Sequence, residues 1–272
     1  MKKLTTILCA FIIFLNTHAQ QTQKQYLSGT GLGHEKIWKF YCTDGRNSKK
    51  WSKIKVPSQW ELQGFGEYTY GRWYKRGMKN PSMEQGLYEY SFNVPSTWKG
   101  KQVRIVFEGS MTDTEVKING TLAGDIHQGG FYEFSYDISD KLKYGSGNKL
   151  EVKVSKHSDN KSVNGAERRA DWWLFGGIYR PVYLEAKPAI HIDHLAVDAQ
   201  MNGKLNATLT TTPLPAGYSV EMQIEPIEGQ TNFAAKTVLL KANEKEQTVS
   251  AKWDGVANWT PETPNLYLIN IS

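Results

Sequence analysis

Cysteine is scarce in this sequence, which contains only Cys9 and Cys42 in 272 residues. Cys9 lies in an apolar segment near the N-terminus that we expect to be removed. The remaining chain then has a single cysteine, so an intramolecular disulfide cannot form, even in a compartment whose redox state permits one. The stability of the folded chain must therefore come from core packing.

The sequence also lacks a hydrophobic run that is long enough to cross a membrane comfortably. Its N-terminal apolar run extends from Leu4 to Leu15, whereas a spanning helix needs roughly 20 residues. The run follows Lys2-Lys3 and precedes the small residue Ala19, an order typical of a secretory signal peptide. We expect residues 1–19 to be cleaved, which predicts a periplasmic or extracellular protein without a membrane anchor; an uncleaved anchor is the alternative.

Charge of one sign is nowhere concentrated. The full chain has 33 Lys and Arg against 27 Asp and Glu, a formal net charge of +6, and its basic residues form no run. Proteins that bind nucleic acid through its phosphates usually show a basic patch or stripe. The scattered charge therefore argues against a nucleic-acid partner.

Metal-ligand patterns are missing as well. His191 and His194 are close in sequence, but residues i and i+3 of a strand face opposite sides of the sheet. No cysteine or cluster of carboxylates completes a zinc set around them. The sequence predicts no metal and no cofactor.

What the sequence does contain is turn residues and short alternating segments. Its 24 glycines and 10 prolines favour a turn-rich, all-β protein rather than long helices. The dipeptide Asn119-Gly120 predicts a type I′ hairpin turn, since both residues accept positive φ. Strands are predicted for Gln102 to Gly109, Thr114 to Ile118, Phe131 to Tyr136, Asn148 to Ser155, Leu205 to Thr211, Tyr218 to Ile224, Lys236 to Lys241 and Gln247 to Trp253.

The predicted strands fall into two groups on either side of Pro188. A chain of this length forms one large or two medium domains, and a proline between two strand-like runs marks a boundary. We expect a first antiparallel sandwich over residues 20–187 and a smaller one over residues 188–272. For the first sandwich, strand spacing does not distinguish a jelly roll from an immunoglobulin-like fold. For the second, it favours the immunoglobulin-like fold.

A group of candidate functional side chains lies between Asp171 and Leu184. Asp171 is followed directly by two tryptophans and then by Gly176-Gly177. The glycine pair permits a tight turn, and the alternation after it predicts a strand that begins at Ile178. Carboxylates accept hydrogen bonds from hydroxyls, and aromatic faces pack against the apolar face of a sugar ring. The loop before this strand therefore has the chemistry of a carbohydrate site.

Several segments, in the same order, resemble the N-terminal sugar-binding domain of glycoside hydrolase family 2. They are Trp60 to Gly66, Tyr88 to Lys101, Val116 to Gly120 and Asp171 to Leu184. The family contains β-galactosidases, β-glucuronidases and β-mannosidases. The resemblance extends from Trp51 to Tyr267 and implies an all-β chain, a jelly-roll sandwich followed by an immunoglobulin-like sandwich.

The resemblance implies that the chain works as part of a larger enzyme. In the family a catalytic (β/α) barrel follows these domains and holds both glutamates of the retaining mechanism. A barrel takes roughly 250 residues, and the sequence ends at Ser272. We expect this chain to be the non-catalytic N-terminal part of an exported hydrolase, with β-galactosidase as the first expectation for the whole enzyme. The chain alone should be inactive. Its expected partners are a β-linked glycan and the downstream barrel, and an oligomer is possible.

The resemblance also implies which residues contact the sugar. An aspartate at the position of Asp171 hydrogen-bonds the terminal sugar in the family's β-galactosidases; the alternative is that Asp171 caps a turn or pairs with Arg168, Arg169 or Arg180. Thr69 or Tyr70 stands where these enzymes often have a sugar-binding asparagine, and the missing asparagine puts β-galactosidase specificity in doubt. Trp172 is the indole that we expect near the sugar, although packing in the core is the commoner fate of tryptophan.

Other readings of the same residues remain open. A stand-alone carbohydrate-binding module would need an exposed aromatic strip, whereas the front of an enzyme would keep its sugar-facing loop at an edge that abuts a barrel. A structural adhesin would show neither feature. Arg168 and Arg169 could orient a substrate carboxylate if the enzyme were a glucuronidase, but we expect them to be solvated or salt-bridged, because arginine before a tight turn usually is.

Overall fold

The computed structural model describes residues 21–72, 83–227 and 233–272. Its chain divides into two compact units, Thr22–His191 and a second that contains Ile192–Ser272. Both units are built from strands, which confirms the all-β prediction. The one α-helix in the described ranges is α1, Lys161–Glu167. The predicted signal peptide, residues 1–19, lies outside the described residues.

The first unit is a sandwich of two antiparallel sheets. Its described strands are β1 Gln23–Tyr26, β2 Lys36–Cys42, β3 Trp51–Val56, β4 Thr69–Tyr70, β5 Gln85–Asn93, β6 Gln102–Phe107, β7 Asp113–Ile118, β8 Thr121–Leu122, β9 Phe134–Asp137, β10 Gly147–Ser155, β11 Trp173–Leu174 and β12 Val182–Lys187. One sheet has the order β1-β12-β6-β9 and the other β3-β2-β5-β10-β7-β8. This is the jelly-roll sandwich that the resemblance implied.

The core of the first unit lies between these two sheets. Alternate residues of β10, namely Leu150, Val152 and Val154, are buried, as expected for a strand with one face against the core. Large aromatic side chains from β2, β5 and the turn after β3 fill the centre, and Trp38, Phe40, Trp60 and Tyr88 are among them. Cys42 is free and buried, and desolvation raises the pKa of its thiol to about 11.

Two local predictions had different outcomes. The hairpin turn is confirmed: Asn119 and Gly120 connect β7 to β8 with φ of 52° and 84°. The strand predicted from Ile178 begins only at Val182. The carbonyl of Ile178 instead accepts a hydrogen bond of 2.7 Å from the Ser58 amide. A distant loop therefore bonds to a backbone carbonyl that alternation alone assigned to the strand.

The second unit is a smaller sandwich of two three-stranded sheets. Its described strands are β13 Ile192–Ala199, β14 Lys204–Thr211, β15 Ser219–Pro226, β16 Lys236–Leu239, β17 Glu246–Lys252 and β18 Tyr267–Ile271. The sheet orders are β13-β14-β17 and β16-β15-β18. Its core contains Leu205, Ala207 and Leu209 from one sheet and Val220 and Met222 from the other. This arrangement is the immunoglobulin-like sandwich expected from the spacing of the strands.

A chain that ends at Lys187 should fold alone, because β12 closes the four-stranded sheet by pairing with β1 and β6. We expect one cooperative thermal transition, measured by circular dichroism. A chain that ends at Pro181 lacks β12, the central partner of that sheet, and should show no such transition. A broad, non-cooperative melt of the Lys187 chain would mean that the first sandwich does not fold independently.

Candidate functional site

The loop that carries Asp171 is joined to a second segment by a short two-stranded sheet. β11 pairs with β4, so that Trp173 lies opposite Tyr70 and Leu174 opposite Thr69. The amide of Gly71 donates to the carbonyl of Trp172 at 2.8 Å. A Cβ at Gly71 would come within 2.3 Å of the Ala170 carbonyl oxygen, so this close approach requires glycine.

The carboxylate of Asp171 has two partners in this region. The Tyr70 hydroxyl donates to Oδ1 at 2.9 Å, and Arg72 Nη2 lies 2.5 Å from Oδ2. The Arg72 and Asp171 side chains are 43% and 52% exposed, and an ion pair of that exposure contributes little to stability. Because a carboxylate offers about four lone-pair sites, Asp171 keeps sites for further hydroxyl donors.

Aromatic side chains form the surface around Asp171. Tyr68, Trp172 and Trp173 are 43%, 46% and 49% exposed. Trp173 packs edge-on against Tyr68 and Tyr70, with ring centroids 5.9 and 5.5 Å apart. Each tryptophan keeps about half of its surface in solvent, although packing in the core is the commoner fate of an indole. A half-exposed carboxylate beside open aromatic surface is suited to a sugar.

Thr69 and Arg168 lie below this surface. Thr69 is buried, so of the two candidates in β4 it is Tyr70 that presents its side chain beside Asp171. Arg168 is also buried, which corrects the expectation of a solvated or salt-bridged arginine. It caps the end of α1, and its Nη1 donates to the carbonyl of Phe175 at 3.0 Å. Burial lowers the pKa of this guanidinium to about 10.

A cluster of three buried charges, Glu61, Glu84 and Lys156, lies at the base of the loop. Lys156 Nζ is 2.9 Å from Glu61 Oε1 and 3.0 Å from Glu84 Oε1, and all three side chains are at most 1% exposed. Lys156 Nζ also donates to the carbonyl of Glu67, while Glu84 Oε1 accepts from the Glu67 amide at 2.8 Å. The cluster therefore also holds the segment that leads to β4.

Glu61 connects this cluster to the Asp171 loop. Its two carboxylate oxygens accept hydrogen bonds of 3.1 and 3.0 Å from the Gly176 amide. A Cβ at Gly176 would lie 2.0 Å from a ring carbon of Trp60, so only glycine fits. Desolvation raises the pKa of Glu61, and the neighbouring Lys156 opposes that rise. The end of the loop after Asp171 is thus attached to a buried carboxylate.

Sequence reasoning missed this cluster, although one signal was present. Leu150, Val152 and Val154 face the core from β10, and Lys156 continues the same alternation. A lysine at a core-facing position needs a buried partner. Nothing in the local sequence identifies Glu61 as that partner, because it lies in a three-residue 3-10 turn, Glu61–Gln63.

The described residues contain neither a metal-binding cluster nor a membrane-spanning helix. No group of three or more His, Cys, Asp or Glu in residues 21–72, 83–227 and 233–272 could hold a metal ion. Within those same ranges, no helix has both the length and the hydropathy needed to cross a bilayer.

Comparison with protein families identifies both units. Residues 37–188 match the model "Glycosyl hydrolases family 2, sugar binding domain", and residues 190–272 match the model "Glycosyl hydrolases family 2". The first match alone covers more than half of the chain. The chain belongs to glycoside hydrolase family 2.

The curated proteins similar to this chain include β-galactosidases and a putative β-glucuronidase. A β-galactosidase of Thermoanaerobacter pseudethanolicus is 30% identical over 188 residues, which is 68% of this chain and 25% of that protein. A putative β-glucuronidase of Formosa agariphila is 25% identical over 238 residues, or 83% of this chain and 26% of that protein. The chain thus spans about a quarter of the length of these curated relatives.

Solved structures show the same fold. The crystal structure of a Bacteroides uniformis β-glucuronidase superposes with a TM-score of 0.64 and 24% identity, over 92% of this chain and 30% of that one. A putative β-galactosidase from Bacteroides fragilis gives a TM-score of 0.61 and 23% identity, over 91% and 38%. At these identities, the likeness shows a shared fold and leaves the substrate open.

Proposed function

We propose that this chain is the non-catalytic N-terminal part of an exported family 2 glycoside hydrolase that acts on a β-linked glycan. The observation that carries the proposal is the exposed Asp171 carboxylate beside exposed aromatic surface. The loop that carries Asp171 is attached to buried charges at its C-terminal end. Preorganised polar groups on a fixed support are what recognition of a sugar requires. The chain would supply this loop to the pocket of a downstream catalytic barrel.

Within that pocket Asp171 would accept hydrogen bonds from hydroxyls of the terminal sugar. Tyr70 and Arg72 each hold one of its oxygens, so the plane of the carboxylate is fixed before the sugar binds. Fixing the acceptor in advance lowers the entropic cost of binding. Trp172, which follows directly, would offer its exposed ring to the apolar face of the sugar.

The charges at the site favour a neutral sugar, with a β-galactoside as the first candidate. A β-glucuronide would bring its own carboxylate close to Asp171, and like charges at short distance repel. One adjacent cation, Arg72, is already paired with Asp171. The described side chains therefore suit hydroxyls better than a second carboxylate.

A stand-alone carbohydrate-binding module is the second candidate function. The three exposed aromatic side chains Tyr68, Trp172 and Trp173 favour it, because ring stacking against a glycan needs no barrel. The two candidates differ in chemistry: the module binds glycan without hydrolysis at any chain length, whereas the enzyme hydrolyses once the barrel is attached.

The 272-residue chain should not hydrolyse nitrophenyl β-galactoside, whereas the same chain extended in frame through a downstream barrel should, because the catalytic glutamates are expected in the barrel. Nitrophenyl β-glucuronide and β-mannoside are the matched comparisons and should react more slowly. Hydrolysis by the short chain would contradict the proposal. Retention on a β-galactan column, without hydrolysis by either length, would favour the binding module.

A further inference from the structure

The outer face of the sheet β3-β2-β5-β10-β7-β8 carries a cavity that the candidate site does not use. The cavity has a volume of about 370 Å³, and its lining includes Trp51, Leu87, Glu89, Glu115, Glu151 and Lys153. None of these residues belongs to the Asp171 loop or to the buried charges at its base. Small-ligand sites in proteins have volumes of roughly 300–1,000 Å³. This cavity is called the outer groove.

Strand register places a row of side chains across the outer groove. Trp51 of β3 pairs with Tyr41 of β2, which pairs with Leu87 of β5. Leu87 also pairs with Lys153 of β10, which pairs with Glu115 of β7. Directly paired residues project to the same face of a sheet. Because neighbouring strands lie about 4.8 Å apart, the five strands carry a row about 19 Å long, which accommodates several sugar rings in line.

The β3 end of the outer groove is aromatic. Trp51 is 45% exposed, and its ring centroid lies 5.6 Å from that of Tyr41. Leu87 is partly buried beside Tyr41. Lys39 Nζ lies 4.1 Å from the centroid of the Trp51 ring, so a polar group can reach this ring from solvent. Because an indole buries a large area on contact, this end offers apolar surface to one face of a sugar ring.

Two carboxylates face each other in the middle of the outer groove. Glu89 and Glu151 are directly opposite on neighbouring strands, an arrangement in which like charges destabilise a sheet. Lys149 bridges them, since its Nζ lies 3.0 Å from Glu89 and 2.9 Å from Glu151. The stability of the sheet gives no reason for two carboxylates to be opposite each other. A ligand rich in hydroxyls can use both of them as acceptors.

The charges that line the outer groove are matched in pairs. Glu115 lies 3.1 Å from Lys117 and 3.3 Å from Lys153, and Glu89 lies 2.9 Å from Lys39. Each of the three glutamates in the lining therefore has an ammonium partner. An ionic ligand would have to break such pairs, whereas a hydroxyl can donate to a carboxylate and accept from an ammonium group at once. This chemistry suits a neutral ligand that is rich in hydroxyls.

We propose that the outer groove binds a neutral glycan chain, with one sugar ring on Trp51 and hydroxyls of the following rings on Glu89 and Glu151. This inference goes beyond the proposed function, because it requires neither Asp171 nor a catalytic barrel. The length of the row fits an extended chain better than a single sugar. A role in stability alone explains the face less well, since exposed ion pairs contribute little and an open indole contributes nothing.

The test is isothermal titration calorimetry of the 272-residue chain with neutral tetrasaccharides, namely the β-1,4-linked tetramers of galactose, glucose, mannose and xylose, and maltotetraose. At least one should bind, and Trp51→Ala should weaken its binding by about tenfold or more, because a few aromatic anchors dominate the energy of a contact surface. Tetragalacturonate is the acidic comparison and should bind more weakly than the galactose tetramer. About 0.15 M salt screens its long-range attraction to the positively charged chain.

Matched variants show whether the ligand lies in the outer groove. Glu89→Gln should weaken binding, whereas Glu185→Gln, which alters a carboxylate paired with Lys187 on the other sheet, should not. Trp259→Ala removes an indole that is 58% exposed in the second unit and should leave binding unchanged. Circular dichroism checks that each variant is folded. If Trp51→Ala did not fold, Glu89→Gln would test the same groove.

Two results would overturn the inference. Absence of binding by all five neutral tetrasaccharides, or binding of tetragalacturonate alone, would show that the outer groove takes no neutral glycan. Binding that survives Trp51→Ala and Glu89→Gln but is lost in Asp171→Ala would place the glycan at the Asp171 loop. That result would support the proposed function and refute the outer groove, whereas binding lost in Trp51→Ala, together with an inactive extended enzyme, would refute the hydrolase alone.

Discussion

Replacing Lys156 with methionine should lower the free energy of unfolding of the first unit by about 3–5 kcal/mol, as expected when one partner of a buried ion pair is removed. Lys156 Nζ lies within 3.0 Å of the carboxylates of Glu61 and Glu84, and none of the three side chains reaches solvent appreciably. Without the ammonium group, two like charges share a site that excludes water. Urea denaturation at neutral pH measures the loss.

Two further variants separate buried charge from lost volume. Lys149→Met removes a lysine from β10, the strand directly before Lys156, but its side chain is 46% exposed, so little stability should be lost. The triple variant Glu61→Gln, Lys156→Met, Glu84→Gln removes all three charges at similar volume and should recover much of the stability. If Lys156→Met cost no more than Lys149→Met, the cluster would not be the anchor that its geometry indicates.

The stability lost in Lys156→Met should depend on pH in a defined direction. Desolvation raises the pKa of Glu61, and a carboxyl whose folded pKa exceeds its unfolded pKa binds its proton more tightly when folded. Its contribution to stability is present below the unfolded pKa and is lost as pH rises through the folded pKa. Removing Lys156 should raise this pKa further. The deficit of Lys156→Met should therefore shrink as pH falls toward about 4.3, the ordinary value for Glu.

Local chemistry explains which parts of the fold were predictable. The turn at Asn119-Gly120 depends on the φ preferences of those two residues, so the sequence is enough to place it. The start of β12 depends on the Ser58 amide, which reaches Ile178 from a distant loop. The alternation of apolar and polar residues indicates which face of a strand is buried. It does not indicate which backbone groups will form hydrogen bonds with a distant loop.

The same distinction applies to the candidate site. Asp171 and Trp172 stand out in the sequence because they are adjacent, but the partners of Asp171 become neighbours only when β11 pairs with β4. Lys156 could have been anticipated from the register of β10, whereas Glu61 could not. The exposure of Trp173 does not follow from residue type, which alone favours burial of an indole.

Replacing Asp171 with alanine in the extended enzyme should lower kcat/KM by about a hundredfold or more, which corresponds to roughly 3 kcal/mol for a charged partner of a substrate hydroxyl. The carboxylate would be aligned by Tyr70 and Arg72, so its loss removes both aligned acceptors. Steady-state hydrolysis of nitrophenyl β-galactoside is the measurement. Tyr70→Phe should reduce kcat/KM less, because it weakens the alignment and leaves the carboxylate in place.

Stability distinguishes this role from a structural one. The pair between Asp171 and Arg72 is about half exposed, so breaking it should shift Tm only slightly. Asp44→Ala is the matched control, since Asp44 is also an exposed carboxylate paired with a cation, Lys49, at 3.4 Å; it should change neither Tm nor kcat/KM appreciably. If Asp171→Ala kept near-normal activity while Tm fell by many degrees, Asp171 would be a structural residue of the loop, and its assignment to the sugar site would be wrong.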